Sequence, residues 1–345
     1  MEKHRPDVWM LIALLGIQIF GLANILGIRP DLLKNYLLFI VLGWIAFALF
    51  ARIKVPFVEQ NYKLLYSLFI ILLVITLLLV DPVRGSRRWI DLPFFRFQTS
   101  EFFKPFFLVT LASVLGSANR FTPRKLLISL GLCFIPFLLI FIQPDLSTAL
   151  ILLVSCMVML YFSGLSTQLV IRAGLYLSAG IPLLWFFLKD YQKLRIIGFI
   201  NPNTDPQGIT YNLNQAIISI GSGGFLGKGM GLGTQARFRF LPEFHTDFAF
   251  ASLTEQFGFI GGLTLLILFA IISVRLLRKI MIQKPQSFEY LFLIGVLVLL
   301  LLEVTINVGM NMGLLPVTGI ALPFISYGGS SVISTMIILG MVSVL

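Results

Sequence analysis

The sequence predicts an all-α, polytopic integral membrane protein with about ten transmembrane helices. Composition and pattern carry this. Of 345 residues, 58% are hydrophobic and only 12% charged, with a mean hydropathy of +0.96, whereas soluble domains carry about 25% charged residues. The apolar residues come in long runs broken by short clusters of charged and turn residues, and one helical span takes about 20 of them. A soluble enzyme, a disordered chain and a disulfide-stapled secreted domain are excluded.

The runs lie near 8–28, 35–51, 64–80, 101–118, 126–142, 146–163, 169–188, 249–274, 290–310 and 330–345. Each is expected to be helical, because lipid offers backbone groups no other partners over that length. No small-residue cleavage site follows the first run, so it reads as a retained span. Cys133 and Cys156 sit inside apolar runs with no CxxC pair, which suggests packing and no zinc or redox site. No break in composition divides the chain, and residues 1–345 read as one membrane domain.

Orientation follows from the short loops. With the N-terminus inside, the inner segments hold Lys3, Arg5, Arg52, Lys54, Lys63, Arg120, Arg124, Lys125, Arg275, Arg278, Lys279 and Lys284, at a higher density than the outer ones. Ten spans then place the C-terminus inside as well. The outer basic residues are unusual: Arg84, Arg87, Arg88 and Arg96 in 81–100, and Lys189, Lys193, Arg195, Lys228, Arg237 and Arg239 in 189–248. They are either solvated charge and headgroup contacts or a site for an anion, since Arg meets phosphate oxygens in a bidentate way.

Segment 189–248, between spans seven and eight, is too long for a linker, and such loops are often functional. It has turn chemistry at Asn201–Gly208, an amphipathic stretch at Tyr211–Ile220 and a glycine-rich run at Gly221–Gly233. The run lacks the Walker A pattern, because Gly229 follows Lys228 where Ser or Thr is needed. It reads as a flexible re-entrant loop, with a backbone cradle for pyrophosphate as the weaker alternative.

Ionisable groups at membrane depth are functional candidates. Here they are Glu101, Asp145, Asp247, Glu255, Glu303, Lys104 and Arg172. Glu101 and Lys104 are three apart and can pair on one helix face. Asp145 can cap span six and Asp247 can cap span eight. Asp247 also stands at the water boundary, where a general base is useful. Glu255 and the pair Glu303 and Asn307, four apart, read as buried structural hydrogen bonds. His245 has no second His or Cys beside it, so a His-rich metal site is unsupported. A carboxylate-bound Mg²⁺ or Mn²⁺ would leave little trace. Glycines and prolines in 313–329 imply broken backbone, tolerated at membrane depth only where it lines protein or a cavity.

The stretches Gly227-Lys228-Gly229, Gly233-Thr234-Gln235 and Asn201-Pro202 to Gln207-Gly208 resemble the RodA branch of the RodA/FtsW/SpoVE (SEDS) family, and several further segments together resemble the family as a whole. They are Gly85-Ser86-Arg87-Arg88-Trp89-Ile90; Arg96-Phe97-Gln98-Thr99-Ser100-Glu101; Gln143-Pro144-Asp145-Leu146-Ser147-Thr148-Ala149; Leu241-Pro242-Glu243-Phe244-His245-Thr246-Asp247-Phe248; and Leu314-Leu315-Pro316-Val317-Thr318-Gly319 continuing to Pro323–Ser331. Thr99 stands where the family usually has Pro, and Gln256 where a second Glu is common.

The resemblance implies a peptidoglycan glycosyltransferase for cell elongation and shape, polymerising lipid II at the outer face of the bacterial plasma membrane. It implies a class B penicillin-binding protein and other elongation machinery as partners, with no nucleic acid and no organic cofactor. Asp247 is then the candidate catalytic base. Arg87, Arg88, Glu101, Lys104, Asp145, Arg195, His245 and Glu255 are the expected substrate-binding residues, with a divalent cation as a further option. The rival readings are a lipid II flippase or other transporter, which would place its charges near the midplane, and a scaffold that needs none of the outer carboxylates.

Overall fold

Asp7 opens the bundle. Its carboxylate accepts the Met10 N–H at 3.2 Å, capping helix α1, Val8–Ile28. The same carboxylate takes Arg275 Nε at 2.6 Å, tying the start of the chain to a distant helix. The structure is a computed structural model describing residues 7–81, 87–92, 95–116, 122–201 and 209–345. Lys3, Arg5, Arg84, Arg120, residues 85 and 86, and the turn at 202–208 lie outside the described residues.

After α1 come α2 (Leu33–Phe50), α3 (Val55–Gln60) and α4 (Tyr62–Leu79), then an antiparallel hairpin of β1 (Trp89–Asp91) and β2 (Arg96–Gln98) that pairs Trp89 with Gln98. Helices α5 (Thr99–Leu115), α6 (Pro123–Ile142), α7 (Leu146–Phe162) and α8 (Thr167–Phe187) follow. Next are α9 (Asp190–Ile200), α10 (Ile209–Gly223), α11 (Thr234–Arg237), α12 (Ala249–Ile282), α13 (Phe288–Asn311) and α14 (Gly329–Val344). A helix lies on each of the ten apolar runs. Those at Val8–Ile28, Pro30–Phe50, Tyr62–Leu79, Pro123–Ile142, Ala249–Ile282 and Phe288–Asn311 are long and apolar enough to cross a membrane. This is a multi-pass membrane protein.

Burial sorts the helices. Nearly every side chain of α5 and α14 is buried, so these two form the centre with α13. On α4, by contrast, Leu64, Ile71 and Leu78 are exposed apolar side chains, the mark of a face meant for lipid. Helix α14 packs on α2 closely enough that a Cβ at Gly340 would stand 2.7 Å from the Phe47 carbonyl oxygen. Cys133 and Cys156 are free and buried.

Helix α12 is broken at Gly258, where φ is +68°. The glycine-rich run fills the break. The N–H groups of Lys228 and Gly229 donate to the carbonyls of Glu255 and Gln256, both at 3.0 Å. On the other side, the N–H groups of Phe259 and Ile260 donate to Gly224 and Phe225 at 2.9 and 3.2 Å. The run therefore satisfies the backbone groups that the break would leave bare. This corrects both readings of it, as flexible loop and as phosphate cradle. A Cβ at Gly227 would meet the Gln256 carbonyl oxygen at 2.2 Å, and φ there is +85°, so glycine is required.

Candidate active site

A cavity of about 640 Å³ opens where α2, α5, α7 and α14 begin and where the chain enters α12. Of the residues expected from sequence, Arg88, Glu101, Lys104, Asp145, His245 and Asp247 line it, and Arg96, Glu243 and Tyr327 join them. Helix N-termini carry a partial positive charge and unpaired N–H groups, which suits an anionic ligand.

One wall is built around Asp145. Its Oδ1 accepts the Thr148 N–H at 3.4 Å, capping α7 as expected. Its Oδ2 accepts Gln98 Nε2 and Ser100 Oγ, both at 3.3 Å. Arg88 Nη1 stands 3.6 Å from Oδ1, and Arg88 Nε donates to the Gln143 carbonyl at 3.1 Å. The hairpin carrying Arg88 is fixed in turn to α14: Ser330 Oγ accepts the Gln98 N–H and donates to the Arg96 carbonyl, both at 2.9 Å. Arg96 Nε lies 3.1 Å from Asp91.

The floor is a buried triad. Lys104 Nζ lies 2.6 Å from Glu101 Oε1 and 2.6 Å from Glu303 Oε1. The expected Glu101–Lys104 pair is present, but Glu303 bonds Lys104 and not Asn307. Lys104 is thus shared between two carboxylates, which leaves the cluster with an excess of negative charge when both are ionised.

The opposite wall carries Asp247. Its main-chain carbonyl accepts Asn307 Nδ2 and Asn311 Nδ2, each at 3.1 Å. Asn311 Oδ1 also accepts the Ala251 N–H at 3.1 Å, pinning the start of α12. The broken 313–328 segment is stitched to the same stretch. Tyr327 N–H donates to the His245 carbonyl at 2.7 Å, and Ser326 Oγ donates to the Thr246 carbonyl at 2.6 Å. Gly319, with φ +78°, lies between two predicted residues: a Cβ there would stand 3.4 Å from Asp247 Oδ2 and 3.6 Å from Arg195 Nη1. Arg195 Nη1 donates to the Thr318 carbonyl at 3.0 Å, which brings Arg195 beside the Asp247 wall.

Two expected residues are not brought to the cavity. Arg87 is exposed and donates to the Leu77 carbonyl at 3.3 Å. Glu255 is fully buried, and its Oε1 accepts Lys228 Nζ, Thr234 Oγ1 and the Gln235 N–H at 3.2, 3.3 and 3.0 Å. It anchors the inserted glycine run, the structural role its depth suggested. Asn307 and Asn311 were missed as partners of Asp247; two Asn one turn apart on an apolar helix was the available signal. Among the described residues, no group of three or more His, Cys, Asp or Glu side chains is placed to hold a metal.

Comparison with known proteins places this geometry in a lineage. Residues 9–345 match the FtsW/RodA/SpoVE family model, described as cell cycle protein. The chain is 37% identical to the peptidoglycan glycosyltransferase MrdB of Escherichia coli K12, covering 99% of this chain and 93% of that protein. It is 36% identical to stage V sporulation protein E of Bacillus subtilis 168, covering 98% and 96%. Among solved structures it resembles a chain from work on the structural coordination of polymerization and crosslinking by a peptidoglycan synthase complex, with TM-score 0.85, 27% identity and coverage of 98% and 97%. Thermus thermophilus rod shape determining protein RodA superposes with TM-score 0.74 at 25% identity, covering 98% and 96%. The chain belongs to the FtsW/RodA/SpoVE family.

Proposed function

We propose that this chain is a peptidoglycan glycosyltransferase that polymerises lipid II into β-1,4 glycan strands, with Asp247 as the general base. The observation that carries the reading is Asp247 on the wall of a cavity shared with Arg88, Asp145 and the first turns of four helices. At about 640 Å³ the cavity matches the size of small-molecule sites. It suits sugar rings and a pyrophosphate and leaves the prenyl chain to lie between helices in lipid.

Ten crossings, both ends inside and segment 189–248 on the outer face complete the reading. The positions of the apolar helices and the distribution of Lys and Arg support it. The chain acts as one membrane domain in the bacterial plasma membrane. A class B penicillin-binding protein, which crosslinks the product, is its partner, and the likeness to a synthase complex chain supports that.

The donor sugar is α-linked to pyrophosphate and the product is β-linked, so the reaction inverts in a single displacement. The acceptor 4-hydroxyl oxygen attacks donor C1 as its proton passes to an Asp247 carboxylate oxygen. The C1–O bond breaks and its electron pair leaves with the undecaprenyl pyrophosphate. A second carboxyl group acting as general acid, as in inverting glycosidases, is unnecessary, because pyrophosphate leaves as a stabilised anion without being protonated. Leaving-group charge falls to Arg88, Arg96 and Arg195 and to the helix N-termini. Lys104 is better read as holding the floor, since two carboxylates already share it. The cavity wall carries several carboxylates, so a divalent cation would be held by Asp145 or Asp247 together with substrate oxygens. It would supply further positive charge to the pyrophosphate.

The test is polymerisation of purified lipid II with and without the partner, comparing wild type with Asp247→Asn. Loss of a general base costs on the order of 10²–10⁴-fold. Long strands from wild type and none from a monodisperse variant of unchanged thermal stability support the assignment. Equal polymer from both overturns Asp247 as base. No polymer from wild type with partner and divalent cation overturns the enzyme reading.

A further inference from the structure

A second open cavity, of about 460 Å³, lies between the start of α1 and the C-terminal half of α12, and shares no lining residue with the active-site cavity. Ile267, Ile271, Val274, Arg275 and Arg278 line it from α12 and Trp9 from α1. The α12 residues follow helical three- and four-residue spacing, so they form one stripe, apolar for its length and basic at its end. Trp9 and Val274 are 61% and 46% exposed, so the groove is open along its side.

The basic end is built. Asp7 caps α1 and holds Arg275 through Nε at 2.6 Å, which fixes the guanidinium and leaves its two Nη groups as donors. Arg278, one turn on, is exposed and has no hydrogen bond or ion pair among the described residues. Asp7 is bound to Arg275, and Arg278 brings a second guanidinium to the same end of the groove, so among the described residues lining or bonded at this end positive charge exceeds negative. A Trp at the same level supplies the amphipathic ring that favours the headgroup boundary.

We propose that this groove is a binding site for an anionic glycerophospholipid, its phosphate on Arg275 and Arg278 and an acyl chain along Ile271 and Ile267. Basic pockets between membrane helices recognise anionic headgroups in this way. An apolar partner helix would fill the stripe but would leave Arg278 without a counter-charge. In the orientation proposed above, the site faces the inner leaflet.

The experiment uses the purified full chain in detergent and counts bound lipid by native mass spectrometry, with phosphatidylglycerol and phosphatidylethanolamine as probes. Wild type should retain phosphatidylglycerol and not phosphatidylethanolamine. Arg278→Gln should weaken retention about fivefold, the effect of one basic residue at an anionic surface. Lys284→Gln removes the same charge outside the groove and should leave retention unchanged. Ile271→Trp should block retention with both arginines intact. Equal retention of the two lipids, equal loss in Lys284→Gln, or full retention in both Arg278→Gln and Ile271→Trp would overturn the site. The readout is independent of polymerisation, so it stands or falls apart from the proposed activity.

Discussion

Asn307 holds Asp247 by its backbone: Asn307 Nδ2 donates to the Asp247 carbonyl at 3.1 Å, and the same amide reaches the Ile320 carbonyl at 2.7 Å. One side chain on α13 therefore joins the α12 entrance to the broken segment across from it. Asp247 lines the cavity while its main chain is held from behind.

Asn307→Ala should lower polymerisation more than it raises KM. The variant strips a donor from two main-chain carbonyls, which costs roughly 1–3 kcal/mol. Asn311 still reaches Asp247, so the fold should survive with a displaced base. A misplacement of about 1 Å can cost on the order of 10²-fold in rate. Initial rates across lipid II concentrations, read beside thermal unfolding, check this. A variant with wild-type kcat would show that the clamp is dispensable.

The floor triad predicts an asymmetric mutant series. Lys104→Met leaves Glu101 and Glu303 facing each other without their shared ammonium, and removing one partner of a buried pair costs roughly 3–5 kcal/mol. Glu303→Gln keeps Lys104 paired with Glu101 and should cost far less. The double variant should recover part of the loss, since neighbouring sites are not additive. Melting temperatures in detergent order the three. Lys104→Met as stable as wild type would mean that the carboxylates are not both charged when Lys104 is present.

The splint in α12 separates two glycines of one run. Gly221→Ala has open space around its Cβ and a helical position, so it should stabilise by roughly 0.5–1 kcal/mol. Gly227→Ala meets a backbone oxygen and a φ of +85°, and strain of this kind costs on the order of 1–3 kcal/mol before the clash is added. Opposite shifts in melting temperature are expected. Two equal shifts would mean that the run is not seated in the break.

The apolar helices were legible because a period and a length carry them, and a helix falls on each of the ten apolar runs. Asp145, Glu101 and Lys104 were legible because a charge in an apolar context has few bland explanations. The hairpin was not, since three-residue strands have too little pattern to separate from loop. Glu303 was assigned the wrong partner because spacing on one helix reports neighbours within it and not the residue that α5 brings alongside. The glycine run misled for a related reason. Its partner is a backbone break beyond the segment, and Gly258 alone does not announce a break inside an apolar helix. The paired state of the arginines was also hidden, because sequence gives charges and not their distances.

Asp145 offers a way to separate folding from chemistry. Its Oδ1 caps α7 and stands near Arg88, while Oδ2 gathers Gln98 and Ser100. Asn caps a helix about as well as Asp, whereas Ala costs about 1 kcal/mol at such a position. Asp145→Asn should therefore keep thermal stability near wild type but lose the charge that orients Arg88. Polymerisation should fall, and Arg88→Gln should depress it to a similar level. Asp145→Ala should lose stability and activity together. If Asp145→Asn polymerises lipid II like wild type while Asp145→Ala does not, the carboxylate is a helix cap alone, and the placing of Arg88 must come from the Gln143 carbonyl.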